Sequence, residues 1–314
     1  QSVGTKKENG VWASVLRQPW ILSMSKTIEH QIRELDFWKG GITLEPIEGG
    51  ITNQNFVVID QGKKFFVRMG DDIPLHGVMR FNELEASIAA AKVGLSPAVA
   101  YHAPGVLILN FIEGKTLTEA EIRQDVYLER ILPMLHTCHR ELAQQIRGPA
   151  LIFWVFHVIR DYLGTLQNDG SRSSDMLPRL QEKGAVLEAA VGSVDIVYGH
   201  NDLLAANFID DGNRLWLVDW DYAGYNSPLF DLANLASNNS LSRNQEDWLL
   251  QHYFNAPISD QTRHGFEAMK CASLLRETLW SMVSEIHSQL DFDFVAYTRE
   301  NLERFEQQWN SFSA

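Results

Sequence analysis

The sequence predicts an α+β fold in two parts, a small antiparallel sheet carrying one long helix and then a larger, mostly helical part. Three observations lead there. β-rich runs crowd into residues 44–111, helical periodicity dominates from residue 119 onward, and one hairpin signal near residue 211 interrupts the helices.

Residues 44–47 are short and apolar, and Glu48-Gly49-Gly50 breaks the chain after them. Residues 56–60 and 64–69 are β-rich and are joined by Gln61-Gly62-Lys63, which reads as a hairpin turn. The alanine-rich stretch 78–92 has a helical pattern, with Gly94 placed to end it. Residues 99–101 and 106–111 add two strands around Ala103-Pro104-Gly105, completing a five-stranded sheet within a first lobe spanning 24–113. The second lobe, 114–314, is helical over 119–146, 150–167, 176–191 and from 243 to the end. Short strands at 196–198, 207–209 and 215–218 form an island within it. The last two are joined by Asp210-Asp211-Gly212-Asn213, and Asp-Gly at that point marks a hairpin.

Composition narrows the function. The 314 residues include 27 basic and 40 acidic side chains, a net charge of −13. That balance excludes a nucleic-acid binder resting on clustered Lys and Arg. Cys138 and Cys271 make neither a disulfide framework nor a zinc site, so a reducing, cytoplasmic setting is expected. No apolar run approaches the roughly 18–20 residues that span a bilayer, so no membrane insertion is expected. Residues 1–23 precede Met24 and read as an upstream extension or artefact without a functional role.

The chemistry concentrates in Gly199-His200-Asn201-Asp202-Leu203-Leu204-Ala205-Ala206-Asn207 and in Leu217-Val218-Asp219-Trp220-Asp221. Asp202 and Asn207 lie on a loop entering the hairpin, and Asp219 ends the strand leaving it, so Asn207 and Asp219 can meet at one side. Phosphoryl transfer needs such a group: hard oxygen ligands for Mg²⁺ and a separate carboxylate to orient the attacking hydroxyl. A single Asp or Asn here would be an ordinary loop residue. The full spacing between apolar strands is what singles these out.

In these residues the chain resembles the choline/ethanolamine kinases of the aminoglycoside phosphotransferase superfamily, whose catalytic loop reads H-x-D-x-x-x-x-N and whose metal motif follows as I-D-[FW]-[DE]. The resemblance implies a bilobal protein-kinase-like fold and dependence on ATP and Mg²⁺. It makes Asp202 the catalytic base, Asn207 and Asp219 the metal ligands, and His200 and Asp231 supports of the loop. Residues 48–55, including Gly50, Thr52, Asn53 and Asn55, resemble the family's phosphate loop, whose glycines let backbone N–H groups approach a triphosphate. Arg68 would then bind the α- and β-phosphates. Its carboxylate partner is Glu83 rather than Glu85, on the spacing to Gly94-Leu95-Ser96-Pro97. Asn110 and Ile112 fall in the hinge, where backbone groups would meet the adenine.

The same resemblance makes choline the expected acceptor. Asp219-Trp220-Asp221-Tyr222 and Thr278-Leu279-Trp280-Ser281-Met282 match the family's substrate segments. A quaternary ammonium donates no hydrogen bond, so aromatic faces and carboxylates must hold it. Tyr222, Trp280 and Asp221 are the expected cage. Two departures leave room for ethanolamine, thiamine or an aminoglycoside: Ser237-Asn238-Asn239 lacks the family's glutamate, and Val283 stands where a second aromatic is expected. A pseudokinase that binds without turnover has no need for Asp202, Asn207 and Asp219 together. A protein kinase is disfavoured, because no A-P-E motif or full G-x-G-x-x-G loop is present.

Overall fold

Period-two alternation builds the first lobe. A computed structural model describes residues 27–47 and 53–314, so Gly50, Thr52 and the 1–23 segment lie outside the described residues. Helix α1 (Ile28–Arg33) precedes strands β1 (Thr43–Ile47), β2 (Gln54–Asp60) and β3 (Lys63–Met69). Helix α2 (Arg80–Lys92) follows, then β4 (Val99–Ala103) and β5 (Val106–Asn110). The sheet is antiparallel in the order β1-β2-β3-β5-β4. One face buries Phe56, Val58, Phe65, Val67 and Ile108 with Ile32 of α1 and the half-buried Phe37 and Trp38. Residues one step out of phase, Asn55, Val57, Phe66, Arg68, Leu107 and Leu109, must point to the opposite face, and these line the cleft between the lobes.

The crossing is tight. Gly114 lies against the hairpin, where a Cβ would sit 2.8 Å from the Asp210 carbonyl, so no larger residue fits unless that strand moves. After it come β6 (Lys115–Thr116), α3 (Glu119–Ile122), α4 (Asp125–Glu141), α5 (Val155–Asn168) and α6 (Leu177–Val191). The island holds β7 (Val197–Gly199), β8 (Phe208–Asp210), β9 (Leu215–Leu217) and β10 (Gly224–Asn226). The chain ends in α7 (Pro228–Asn238), α8 (Arg243–Phe254), α9 (Asp260–His287) and α10 (Phe294–Ser313). Helix α9 packs on α5, α6, α7 and α10 and is the axis of this lobe. Among the described residues no helix is long and apolar enough to cross a membrane.

Several boundaries differ from the sequence reading. The 119–146 stretch breaks at Arg123-Gln124, because Thr118 and Glu121 close a capping box around a separate short helix. The final stretch is three helices, with Ser242, Ser259 and Asp293 capping their starts. Asn207 belongs to a 3₁₀ turn, and the strand starts at Phe208.

Candidate active site

The loop after β7 is held from behind by one carboxylate. Asp231, on α7, accepts the backbone N–H groups of His200 and Asn201, each at 2.8 Å. Gly199 leaves room for it: a Cβ there would lie 3.0 Å from both Asp231 Oδ2 and Asn201 Oδ1. His139 Nε2 donates to Asp231 at 2.9 Å, and His139 Nδ1 meets the Tyr253 hydroxyl at 2.7 Å. Burial opposes Asp231's charge most strongly, yet the hydrogen bonds and charges of His139 and His200 together outweigh it and hold the carboxyl below the usual range. Ser227 caps the start of α7, which leaves Asp231 in its first turn to serve the loop. Asn201 adopts a left-handed backbone (φ 66°), secured by its side-chain bonds to the Tyr222 and Gly224 carbonyls.

His200 joins the two halves of the site. Its Nε2 donates to the Val218 carbonyl at 2.9 Å, so its Nδ1 is free to accept the Asp202 backbone N–H at 3.3 Å. Hairpin register pairs Phe208 with Leu217, and Val218 N–H donates to the Asn207 carbonyl, setting Asn207 and Asp219 at the same end. Asn207 Nδ2 is committed to the Asp202 carbonyl at 2.8 Å, which leaves its amide oxygen as the donor for a cation. Asp219 also has a left-handed backbone, φ 68°. Both residues line the interlobe cleft of about 570 Å³. Two hard oxygen donors side by side fit Mg²⁺, which takes few protein ligands and completes its shell with water and phosphate oxygens.

Across the cleft, Arg68 Nη1 reaches Glu83 at 2.5 Å, Asp221 at 2.8 Å and Asp219 at 3.1 Å. Glu83, not Glu85, is therefore its helix partner. Arg80, which the sequence reading missed, bonds Glu83, Asp221 and Asn53. Burial works against the charge of Arg68, but Asp219, Asp221 and Glu83 together raise its pKa. Burial likewise opposes charge on Asp219, and Arg68 overrides it, holding that carboxyl below its usual range. Asn55 Oδ1, Asn110 Oδ1 and Arg68 Nε are buried without a partner among the described residues, and all three residues line the cleft, as does Ile112. A polar ligand entering there would satisfy them.

On the other side of Asp202 the expected cage is only partly assembled. Asp221 is tied to Arg68, Arg80 and Asn53, facing away from the role assigned to it. Burial pushes its carboxyl up to about 7. The Tyr222 ring carries the guanidinium of Arg276, 4.3 Å from its centre. Trp280 lies instead against His76 (5.2 Å), Phe294 (6.1 Å) and Tyr297 (6.4 Å), with its Nε1 buried and unpartnered among the described residues. His76 and Tyr162 link the two parts, their rings 5.8 Å apart. Glu277 accepts from the Tyr297 hydroxyl at 2.8 Å and from Arg276 at 2.8 Å. Burial raises Asp202 to about 7; Arg276 pulls it down, while Glu277 and Asp219 push it up. Arg276 and Glu277 gave no sequence signal beyond an adjacent charged pair before Trp280, and only the packing of α9 brings them to Asp202.

A two-lobed architecture with a braced Asp, an Asn–Asp pair and an interlobe arginine defines a kinase-like phosphotransferase. The choline/ethanolamine kinase family profile matches residues 44–307, so the chain belongs to that family and is an ATP-dependent alcohol phosphotransferase. It is 25% identical over 263 residues to protein LicA of Haemophilus influenzae, covering 81% of this chain and 76% of that one. The probable ethanolamine kinase A of Dictyostelium discoideum is 25% identical over 304 residues, with 84% of each chain covered. The crystal structure of choline kinase LicA from Streptococcus pneumoniae superposes with a TM-score of 0.71 at 25% identity, covering 86% of this chain and 94% of that one.

Proposed function

We propose that the protein transfers the γ-phosphoryl group of ATP to the hydroxyl of choline, with Asp202 as catalytic base and Mg²⁺ held by Asn207 and Asp219. The observation that carries this is the position of Asp202. Its carbonyl fixes the Asn207 amide on one side, and its carboxyl shares the field of Arg276, Glu277 and Asp219 on the other. Asp202 takes the proton of the acceptor hydroxyl as that oxygen bonds the γ-phosphorus, and the bond from phosphorus to the ADP oxygen breaks. Mg²⁺ would neutralise charge on the phosphate oxygens. Arg68, freed from part of its carboxylate cluster, would meet the α- and β-phosphates. Asn53, Asn55 and the Gly50–Thr52 segment would lie over them, with Asn110 and Ile112 at the adenine.

Choline is favoured by the likeness to LicA proteins and by the Tyr222 ring and the Glu277 carboxylate, both within the electrostatic reach of Asp202. Ethanolamine is the second reading, favoured by the likeness to an ethanolamine kinase. The buried, free thiols of Cys138 and Cys271 suit a cytoplasmic setting. Steady-state rates of ADP release with Mg²⁺-ATP and choline, ethanolamine, thiamine or kanamycin test the assignment. Choline should give the highest kcat/KM; a higher value for any other alcohol reassigns the acceptor.

A further inference from the structure

We propose that Arg276 is a resident cation occupying the acceptor's seat on Tyr222, and that a cationic alcohol binds by displacing it. This deepens the acceptor reading above and rests on it. Arg276 lies on α9 and is 5% exposed, with its guanidinium 4.3 Å from the centre of the Tyr222 ring and 5.8 Å from that of Phe153. A cation over an aromatic face at that distance is the contact an ammonium substrate would make. Two cations cannot share one face inside a dry pocket without strong repulsion.

The resting guanidinium is held by charge more than by hydrogen bonds: burial works against it, and the fields of Tyr222, Glu277, Tyr162 and Asp202 raise its pKa nonetheless. Nη1 bonds Glu277 at 2.8 Å, but Nε and Nη2 are buried without a hydrogen-bond partner among the described residues. Those two donors are desolvated with no hydrogen bond in return. Moving the side chain would relieve that penalty and clear the ring. Glu277 would stay behind, anchored by the Tyr297 hydroxyl, and with Asp202 it would balance the incoming ammonium. Arg276 is thus a specificity-determining residue. It keeps the pocket filled and charge-balanced when empty, and it admits only ligands that bind Tyr222 better than it does.

Calorimetric titration of the full chain with tetramethylammonium tests this without requiring turnover. Arg276→Met should bind the probe about tenfold more tightly than the parent, the size of one cation–π contact released from competition. Arg276→Lys, still cationic, should stay within about threefold. Tyr222→Leu added to Arg276→Met should erase the gain. With choline, the KM of Arg276→Met should fall while the KM for ATP holds. Equal or weaker tetramethylammonium binding by Arg276→Met, or a gain that survives Tyr222→Leu, overturns the proposal. If the methionine variant does not fold, Arg276→Gln carries the same expectation. Failure of the parent to phosphorylate choline would sink only the acceptor reading, since the probe arm does not depend on it.

Discussion

The two sides of Asp202 are built on different terms. On the nucleotide side, Arg68 and Arg80 interlock with Glu83, Asp219 and Asp221 in a charge-paired cluster that crosses the lobes, with Arg68 Nε left without a partner among the described residues. On the acceptor side, Arg276 has one carboxylate partner, Glu277, and Trp280 Nε1 has no partner among the described residues. The difference teaches where each kind of recognition resides. A triphosphate and its metal are the same in every kinase of this class, so a rigid charge lattice can be preorganised for them. An acceptor alcohol varies, and its pocket is left with loose contacts that single substitutions can retune.

Breaking the lattice should have the larger effects. Asp219→Ala removes one of the two proposed metal oxygens and one arm of the Arg68 cluster. It should abolish the Mg²⁺-dependent tightening of ATP and reduce kcat by about a thousandfold or more. Titration of ATP with and without Mg²⁺ checks this, and equal tightening in variant and parent would remove Asp219 from the metal site. Arg68→Lys keeps the charge but loses the planar guanidinium that could clamp phosphates bidentately while Nη1 holds its carboxylates, so kcat/KM for ATP should fall about tenfold or more, with Glu83→Gln milder. Near-parent rates for the lysine variant would show that charge alone suffices.

The acceptor side should respond differently. Trp280→Leu should raise the choline KM about tenfold with the ATP KM unchanged, and Trp280→Phe should recover part of the loss. If leucine and phenylalanine behave alike, Trp280 is a packing residue held by Phe294 and Tyr297. The smallest effect is in pH. Asp202 must be ionised to take a proton, and its carboxyl is raised to about 7, so kcat/KM for choline should climb as pH rises through about 7 and level off above it. Arg276→Met removes the cation that pulls Asp202 down and should move that limb upward.

Legibility in the sequence divides along the same line. His200, Asp202, Asn207 and Asp219 sit within twenty residues, and hairpin register alone brings the last two together, so local spacing sufficed. Glu83 could be chosen over Glu85 only through the resemblance, on its spacing to Gly94-Leu95-Ser96-Pro97. Arg80, Arg276 and Glu277 act through contacts across the lobes or from a helix more than seventy residues after Asp202, and no local pattern marks them. Asp221 shows the opposite error. Its neighbour Tyr222 does lie under Arg276, but the two are the central residues of a turn closed by the Ala223 N–H on the Trp220 carbonyl, and Asp221 turns to Arg68. The break at Gln124 was hidden because apolar periodicity continues through it.

Asp202 is where the two sides meet, and Asp202→Ala tests the central claim most directly. Single-turnover transfer from Mg²⁺-ATP to choline, followed by ³¹P NMR beside an ATP titration, should show phosphocholine formation reduced about a hundredfold or more while the ATP Kd stays within about twofold. Transfer within a few-fold of the parent, or loss of ATP binding in step with transfer, would contradict the assignment of Asp202 as the base.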